Sequence, residues 1–167
     1  MKHMLVSAAV ALAVLITTAT AGADGSGPFA VGAGVSGGMH FAFAAHGGAS
    51  PLEPVSGHFE AFGNALPLSG GGKNPTAFHF AGPVTCLTVT GNHATLFYPI
   101  EHATPSTFQG KGVLIYLTDN GNPGPGNEPD QIGFTLTPTS TTPPSCPILP
   151  LATSNLDHGN ITIHDGP

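Results

Sequence analysis

The segment Val84-Thr85-Cys86-Leu87-Thr88-Val89-Thr90 meets His93-Ala94-Thr95-Leu96-Phe97-Tyr98 across a Gly91-Asn92 step. β-Branched and aromatic residues fill both arms. Gly-Asn is a two-residue turn whose members tolerate positive φ. The pattern predicts a β-hairpin with a definite register: Val89 opposite Ala94, Leu87 opposite Leu96, Cys86 opposite Phe97. Apolar residues fall on both faces, so these strands are expected inside a packed sandwich rather than on an open sheet.

A period of two recurs along the chain. His40-Phe41-Ala42-Phe43-Ala44 alternates, with both Phe on one face. His58-Phe59-Glu60-Ala61-Phe62 is a second short strand. Thr76 to Phe80 is a third, with Phe78 and Phe80 on one face and His79 on the other. Val113 to Leu117 is continuously apolar and reads as a central strand. Ile132, Phe134 and Leu136 alternate with Gly133, Thr135 and Thr137, and Ile161 and Ile163 mark a closing strand. Outside the N-terminal apolar run no stretch shows a helical period. About eight short strands predict an all-β, antiparallel β-sandwich, immunoglobulin-like or jelly-roll-like. Gly and Pro account for 41 of the 167 residues, and they lie between the strands, where they act as turns. Asp24 to Gly38 is Gly/Ala-rich. It reads as a loose arm, with residues 24–34 flexible and 35–167 forming a single domain. Thr137 to Pro150 is a Thr/Pro/Ser loop.

The N-terminus reads as an export signal. Lys2 and His3 precede an apolar run from Leu5 to Ile16, and Ala21-Gly22-Ala23 supplies the small residues that signal peptidase accepts. Ala19-Thr20-Ala21 is a second cleavage site. The run of about 12 residues falls short of the ~20 needed to span a bilayer. Residues 1–23 are therefore expected to be a cleaved helical signal peptide, and the mature protein to be secreted with no membrane span. In an oxidising compartment the pair Cys86 and Cys146 is expected to form a disulfide.

Cleavage after Ala23 leaves Lys73 and Lys111 as the only lysines, with no Arg, against nine acids. So few cations cannot neutralise a run of phosphates, which excludes nucleic acid as a partner. Coiled coils are excluded for want of Glu, Lys and Arg. Histidine becomes the main basic residue, with eight in the mature chain: His40, His46, His58, His79, His93, His102, His158 and His164.

Three segments carry a resemblance. They are Gly82 to Ala94, the pair Asp119 to Gly124 with Pro129 to Ile132, and Gly159 to His164. Together they resemble turns and strand ends of small secreted β-sandwich proteins of unknown function from high-GC Gram-positive bacteria. The resemblance spans roughly residues 35–164. It implies a secreted sandwich and no catalytic residue.

Candidate chemistry is sparse. Gly32-Ala33-Gly34-Val35-Ser36-Gly37 spells the dinucleotide pattern G-x-G-x-x-G, and Gly34 to Gly38 spells the nucleophile elbow G-x-S-x-G. Each needs a helix to follow, and none is expected here. If the strands bearing His40, His58, Glu60 and His79 are neighbours, imidazoles and a carboxylate converge as Zn or Cu ligands. The opposing expectation is that His supplies the polar outer residues of a charge-poor sheet. Superoxide dismutase and cupin sites need an H-x-H pair, and this chain has none. Asp119, Asn122, Glu128 and Asp130, with Asn120 and Asn127, offer oxygen ligands for Ca²⁺ on a turn-rich loop. The same residues are also turn formers. Aromatic platforms for sugars are wanting, because there is no Trp and only two Tyr. Asn160-Ile161-Thr162 is a glycosylation sequon, but it falls on a strand. The sequence thus favours a non-enzymatic structural, surface or binding module with an extracellular ligand. A metal-binding protein is the next reading and a secreted hydrolase the last.

Overall fold

A computed structural model describes residues 27–48, 53–64, 77–122, 124, 126–143, 146–147 and 153–166. The expected signal peptide, residues 1–23, lies outside them. The described chain forms two antiparallel sheets packed face to face. Sheet A has the order β11-β1-β2-β3-β4-β7, built from β1 (Phe29–Ser36), β2 (Met39–His46), β3 (Ser56–Gly63), β4 (Phe78–Pro83), β7 (His102–Thr104) and β11 (His158–His164). Sheet B has the order β10-β9-β8-β6-β5, from β5 (Cys86–Thr90), β6 (His93–Pro99), β8 (Gly112–Thr118), β9 (Gln131–Thr137) and β10 (Ser154–Asn155). This is the antiparallel sandwich that the alternating pattern predicts. The chain weaves a four-strand meander in sheet A and crosses to sheet B for the β5–β6 hairpin. It returns to A for β7, then to B for β8 to β10, and closes beside β1.

All eight expected strands are present, and three more accompany them. β7 and β10 hold three and two residues, too few to show a period. β1 is a correction of substance. The stretch read as a loose arm is an eight-residue strand paired on both sides, to β2 and to β11. Its glycines misled because they are packing residues. Gly32 lies opposite Phe43 and Gly34 opposite Phe41. A Cβ on Gly32 would come within 3.0 Å of the Phe43 ring, and one on Gly34 within 3.2 Å of the Phe41 ring. The strand lacks side chains where its neighbour's aromatics need the space. Gly37 and Gly38, with φ of +56° and +80°, make the two-residue turn into β2.

The β5–β6 hairpin has the expected register, with Cys86 opposite Phe97, Leu87 opposite Leu96 and Val89 opposite Ala94. Only Gly91 takes positive φ, at +59°, which matches a turn with Gly at its first central position.

Between the sheets lies an aromatic core. Phe41, Phe43, Phe59, Phe78 and Phe80 come from sheet A, and Leu96, Tyr98, Val113, Ile115 and Ile132 from sheet B. Phe59 stacks on Tyr98 across the interface, with ring centroids 4.8 Å apart. The cavity left among Met39, Phe59, Phe78, Phe80 and Tyr98 measures about 20 Å³, far short of the ~300 Å³ at which small-molecule sites begin.

The loop after β9 acts as a strap on the outer side of sheet B. Phe97, Thr95 and Tyr116 point away from the core, yet all are buried. The disulfide from Cys86 to Cys146 draws the loop after β9 over this side, with Cα atoms 6.0 Å apart and a separation of 60 residues. Thr142 adds a side-chain hydrogen bond to Thr85. In the chain-entropy account such a link stabilises the fold by roughly 4 kcal/mol.

Burial raises the pKa of both phenols, that of Tyr98 the further. A folded-state value above the unfolded one means that the unfolded chain loses the proton first. The stabilisation is whole below about pH 10 and is lost as pH rises through the folded value. In an alkaline titration, Tyr98 phenolate absorbance should appear only together with loss of the β-sheet circular dichroism. Two phenolates near pH 10 with the dichroism intact would contradict this core.

Candidate functional site

The two outer faces differ. On the outer side of sheet B a loop is tethered by the disulfide, and Thr95, Phe97 and Tyr116 are buried there. The outer face of sheet A has no such tethered loop among the described residues. Because inward residues of β2 are Met39, Phe41, Phe43 and Ala45, His40, Ala42, Ala44 and His46 must point outward. The same parity puts His58, Glu60 and Phe62 of β3 outside, with His79 of β4 and His102 of β7. On β11 it puts His158, Asn160, Thr162 and His164 outside. Seven of the eight described histidines therefore share one face. The eighth, His93, lies on sheet B and contacts the Thr118 hydroxyl.

Pairing arranges this face in rows across the strands. One row reads His158, Val35, His40, Phe62, His79, Thr104. The next reads Asn160, Ala33, Ala42, Glu60, Ala81, His102. At the far end His164 and His46 flank Phe29, with ring centroids 5.2 and 6.1 Å from it. The His40 ring stacks on Phe62 at 5.1 Å and 5°. Phe62 is 49% exposed and is the only large hydrophobic so exposed among the described residues. Ala33, Ala42 and Ala44 thus form a small apolar strip in the middle of the face, with Glu60 beside Ala42 and imidazoles around them.

The four residues expected as Zn or Cu ligands do lie on this one face, on adjacent strands. The structure joins two of them: His79 Nε2 lies 2.7 Å from Glu60 Oε1. His40 and His79 stand on either side of Phe62, two strand spacings or roughly 10 Å apart, and His40 is turned onto the Phe62 ring. Among the described residues no three His, Cys, Asp or Glu side chains gather as metal ligands.

The residues expected as Ca²⁺ ligands have a different arrangement. Asp119 accepts hydrogen bonds from the Gly121 and Ile163 N–H groups, at 2.8 and 2.9 Å. Asp130 accepts from the Asn120 and Ile161 N–H groups, at 2.8 and 2.6 Å. All four carboxylate oxygens therefore hold backbone. The Asn122 carbonyl accepts from the Asn127 side chain, and Glu128 is exposed. A groove of about 330 Å³ opens beside this loop, between Asn127, Glu128, Asp157 and His158. Asp157 is already engaged there with the Gly37 N–H at 2.9 Å. Sequence reasoning identified these acids and missed their part, because the N–H groups they hold are up to 44 residues away.

The remaining motifs resolve simply. Ser36 is buried on β1 and donates to the Asn155 carbonyl, with a turn and not a helix after it. The Asn160 amide of the sequon is occupied by the Ile161 carbonyl and the Thr162 hydroxyl. No family model, curated protein or solved structure matches this chain.

Asp130 is 4% exposed, and a carboxylate accepting backbone N–H groups makes charge-assisted bonds. Asp130→Ala orphans two donors, one of them on fully buried Ile161, and should cost about 3 kcal/mol. Asp130→Asn should recover little, since its amide nitrogen must face one of those donors. Urea midpoints measure both. A shift of under about 0.5 kcal/mol for Asp130→Ala, the range of ordinary surface changes, would remove this part for Asp130.

Proposed function

We propose that this is an exported, non-enzymatic β-sandwich that works as an interaction module through the outer face of sheet A. The observation that carries the reading is the asymmetry of the two outer faces. One has a disulfide-tethered loop held against part of it. The other exposes Phe62, small apolar residues and a ring of histidines, with Glu60 as its single carboxylate. Interfaces are depleted in charge and enriched in aromatics at their centre, and this face has both properties. A disulfide is compatible with an extracellular protein, and the leader-like N-terminus and the resemblance to secreted sandwiches agree with export. The core cavity of about 20 Å³ has no room for a substrate.

Two measurements test this reading. Expressed in a Gram-positive bacterium, the protein should reach the medium with its N-terminus at Asp24 or Gly22 and its two cysteines joined. A benzophenone amino acid in place of Phe62 should then give photo-crosslinked products in that medium. The same group at exposed Thr135, on the outer side of sheet B, should not. Retention of the intact chain in the cytoplasm refutes export, and equal or absent crosslinking from both positions refutes the face.

The scattered histidines also give an expected metal result. The purified protein should hold no stoichiometric Zn, Cu or Ca by elemental analysis, and a chelator should leave its melting temperature unchanged. Bound metal at one equivalent with a chelator-sensitive melt would restore the metal-binding reading.

A further inference from the structure

We infer that the occupant of the sheet A face is a second copy of this chain, held while the histidines are neutral and released when they are protonated. The inference rests on the proposed interaction face and says what covers it.

Size comes first. The six strands of sheet A contribute forty residues. At ~3.3 Å per residue and ~4.8 Å between strands the face covers roughly 600 Å² in plan, before side-chain relief is added. A standard interface takes about 800 Å² from each partner. A small ligand would leave most of this face bare, whereas a second sheet matches it in extent.

Shape and chemistry agree. Ala33 and Ala42 are exposed at the centre, and Val31, Val35 and Ala44 are half-buried beside them. Such short side chains let two sheets approach to the ~10 Å of sheet-on-sheet packing, aligned within about 30°. Phe62 is the aromatic anchor such an interface needs. In a two-fold arrangement the same patch serves both partners, so one face suffices.

Charge acts through the face and not through the whole chain. The mature chain carries nine acids and two lysines, and a second copy carries the same excess, so pairing depends on how little of that charge lies on the face. The face itself nearly lacks charge. Its titratable groups are His158 and His164 on β11, none on β1, His40 and His46 on β2, His58 and Glu60 on β3, His79 on β4 and His102 on β7. Glu53, Glu101, Asp157 and Asp165 flank the strand ends. Asp157 and Asp165 hold the Gly37 and Gly91 N–H groups. With imidazoles neutral, two such faces meet with one paired carboxylate each. With imidazoles protonated, each face carries seven positive charges against that carboxylate, and like charges are brought together out of water.

The test uses the protein as the expressing host leaves it, with its own N-terminus and disulfide. Interfaces of this area hold between μM and pM, so light-scattering mass is read at about 50 μM. The expected mass is that of two copies near pH 8 and of one copy near pH 5. Ala42→Glu and Phe62→Ser should each give one copy near pH 8, with dichroism and melting unchanged. Thr135→Glu should leave the pair intact. A variant carrying His40→Gln, His46→Gln, His58→Gln, His79→Gln, His102→Gln, His158→Gln and His164→Gln, all seven face histidines, should stay paired at the acid pH. A single copy at both pH values overturns the inference. So does a pair that survives both Ala42→Glu and Phe62→Ser. A glutamine variant that separates like the parent overturns the histidine switch. The interaction reading fails separately: crosslinks from position 62 to another molecule, with a single copy in solution, sink the inference and leave that reading standing.

Discussion

The buried Asp130 carboxylate is the contact on which the closure of this sandwich depends. β11 is the last strand and an edge of sheet A, and its backbone pairs with β1 on one side only. An exposed edge is a template for unwanted pairing. Here the Ile161 and Ile163 N–H groups on the open side are taken by Asp130 and Asp119. Both acids lie at the ends of the β8–β9 connection of sheet B, so the edge of one sheet is sealed by the loop of the other. The Asp130 carbonyl also accepts from the Leu156 N–H at 2.8 Å, which fixes the approach to β11. One residue thus holds three segments of chain.

The other described aspartates act alike. Asp157 holds the Gly37 N–H in the β1–β2 turn, and Asp165 holds the Gly91 N–H in the β5–β6 turn. Asp157 and Asp165 bracket β11, so this strand is tied at both ends and along its edge. A fold with few charges places its carboxylates where a neutral acceptor would be weaker. The disulfide does the corresponding task on the far side, where it holds the strap over sheet B. Two cross-links of different chemistry leave the outer face of sheet A without such a tether among the described residues.

What was legible in the sequence follows from distance along the chain. The Gly91-Asn92 hairpin and its register were legible because a two-residue turn leaves only one pairing. The alternating segments were legible because a half-buried strand advertises its two faces, and Val113 to Leu117 because an unbroken apolar run marks a central strand. β1 was not, since its inward glycines make sense only once Phe41 and Phe43 are known to lie beside them. The histidine face was half legible. Parity placed His40, His58 and His79 on a common side within their own strands. That His46, His102, His158 and His164 join them follows from strand order, which local pattern does not encode. The aspartates were legible as a cluster and not as staples, because their partners are backbone groups that carry no sequence signal.

The poverty of charge acquires a meaning from these placements. A solvent-facing sheet is ordinarily kept soluble by Lys and Glu, whose charge persists over the whole biological range of pH. Here the acids are drawn to turns and edges, and Lys111 sits over the Phe108 ring at 5.0 Å. Histidine gives the sheet A face most of its polarity, with Glu60 as its one carboxylate. Near neutrality an imidazole is amphipathic, able to stack on Phe62 or Phe29 as well as to meet water. Protonated, it is a cation. Lysine in the same positions would keep the face solvated at every pH and prevent its burial. Alanine would leave it permanently prone to association. Seven histidines give a surface whose polarity is conditional, and a conditional surface has a use only where something covers it under one condition and leaves it under another.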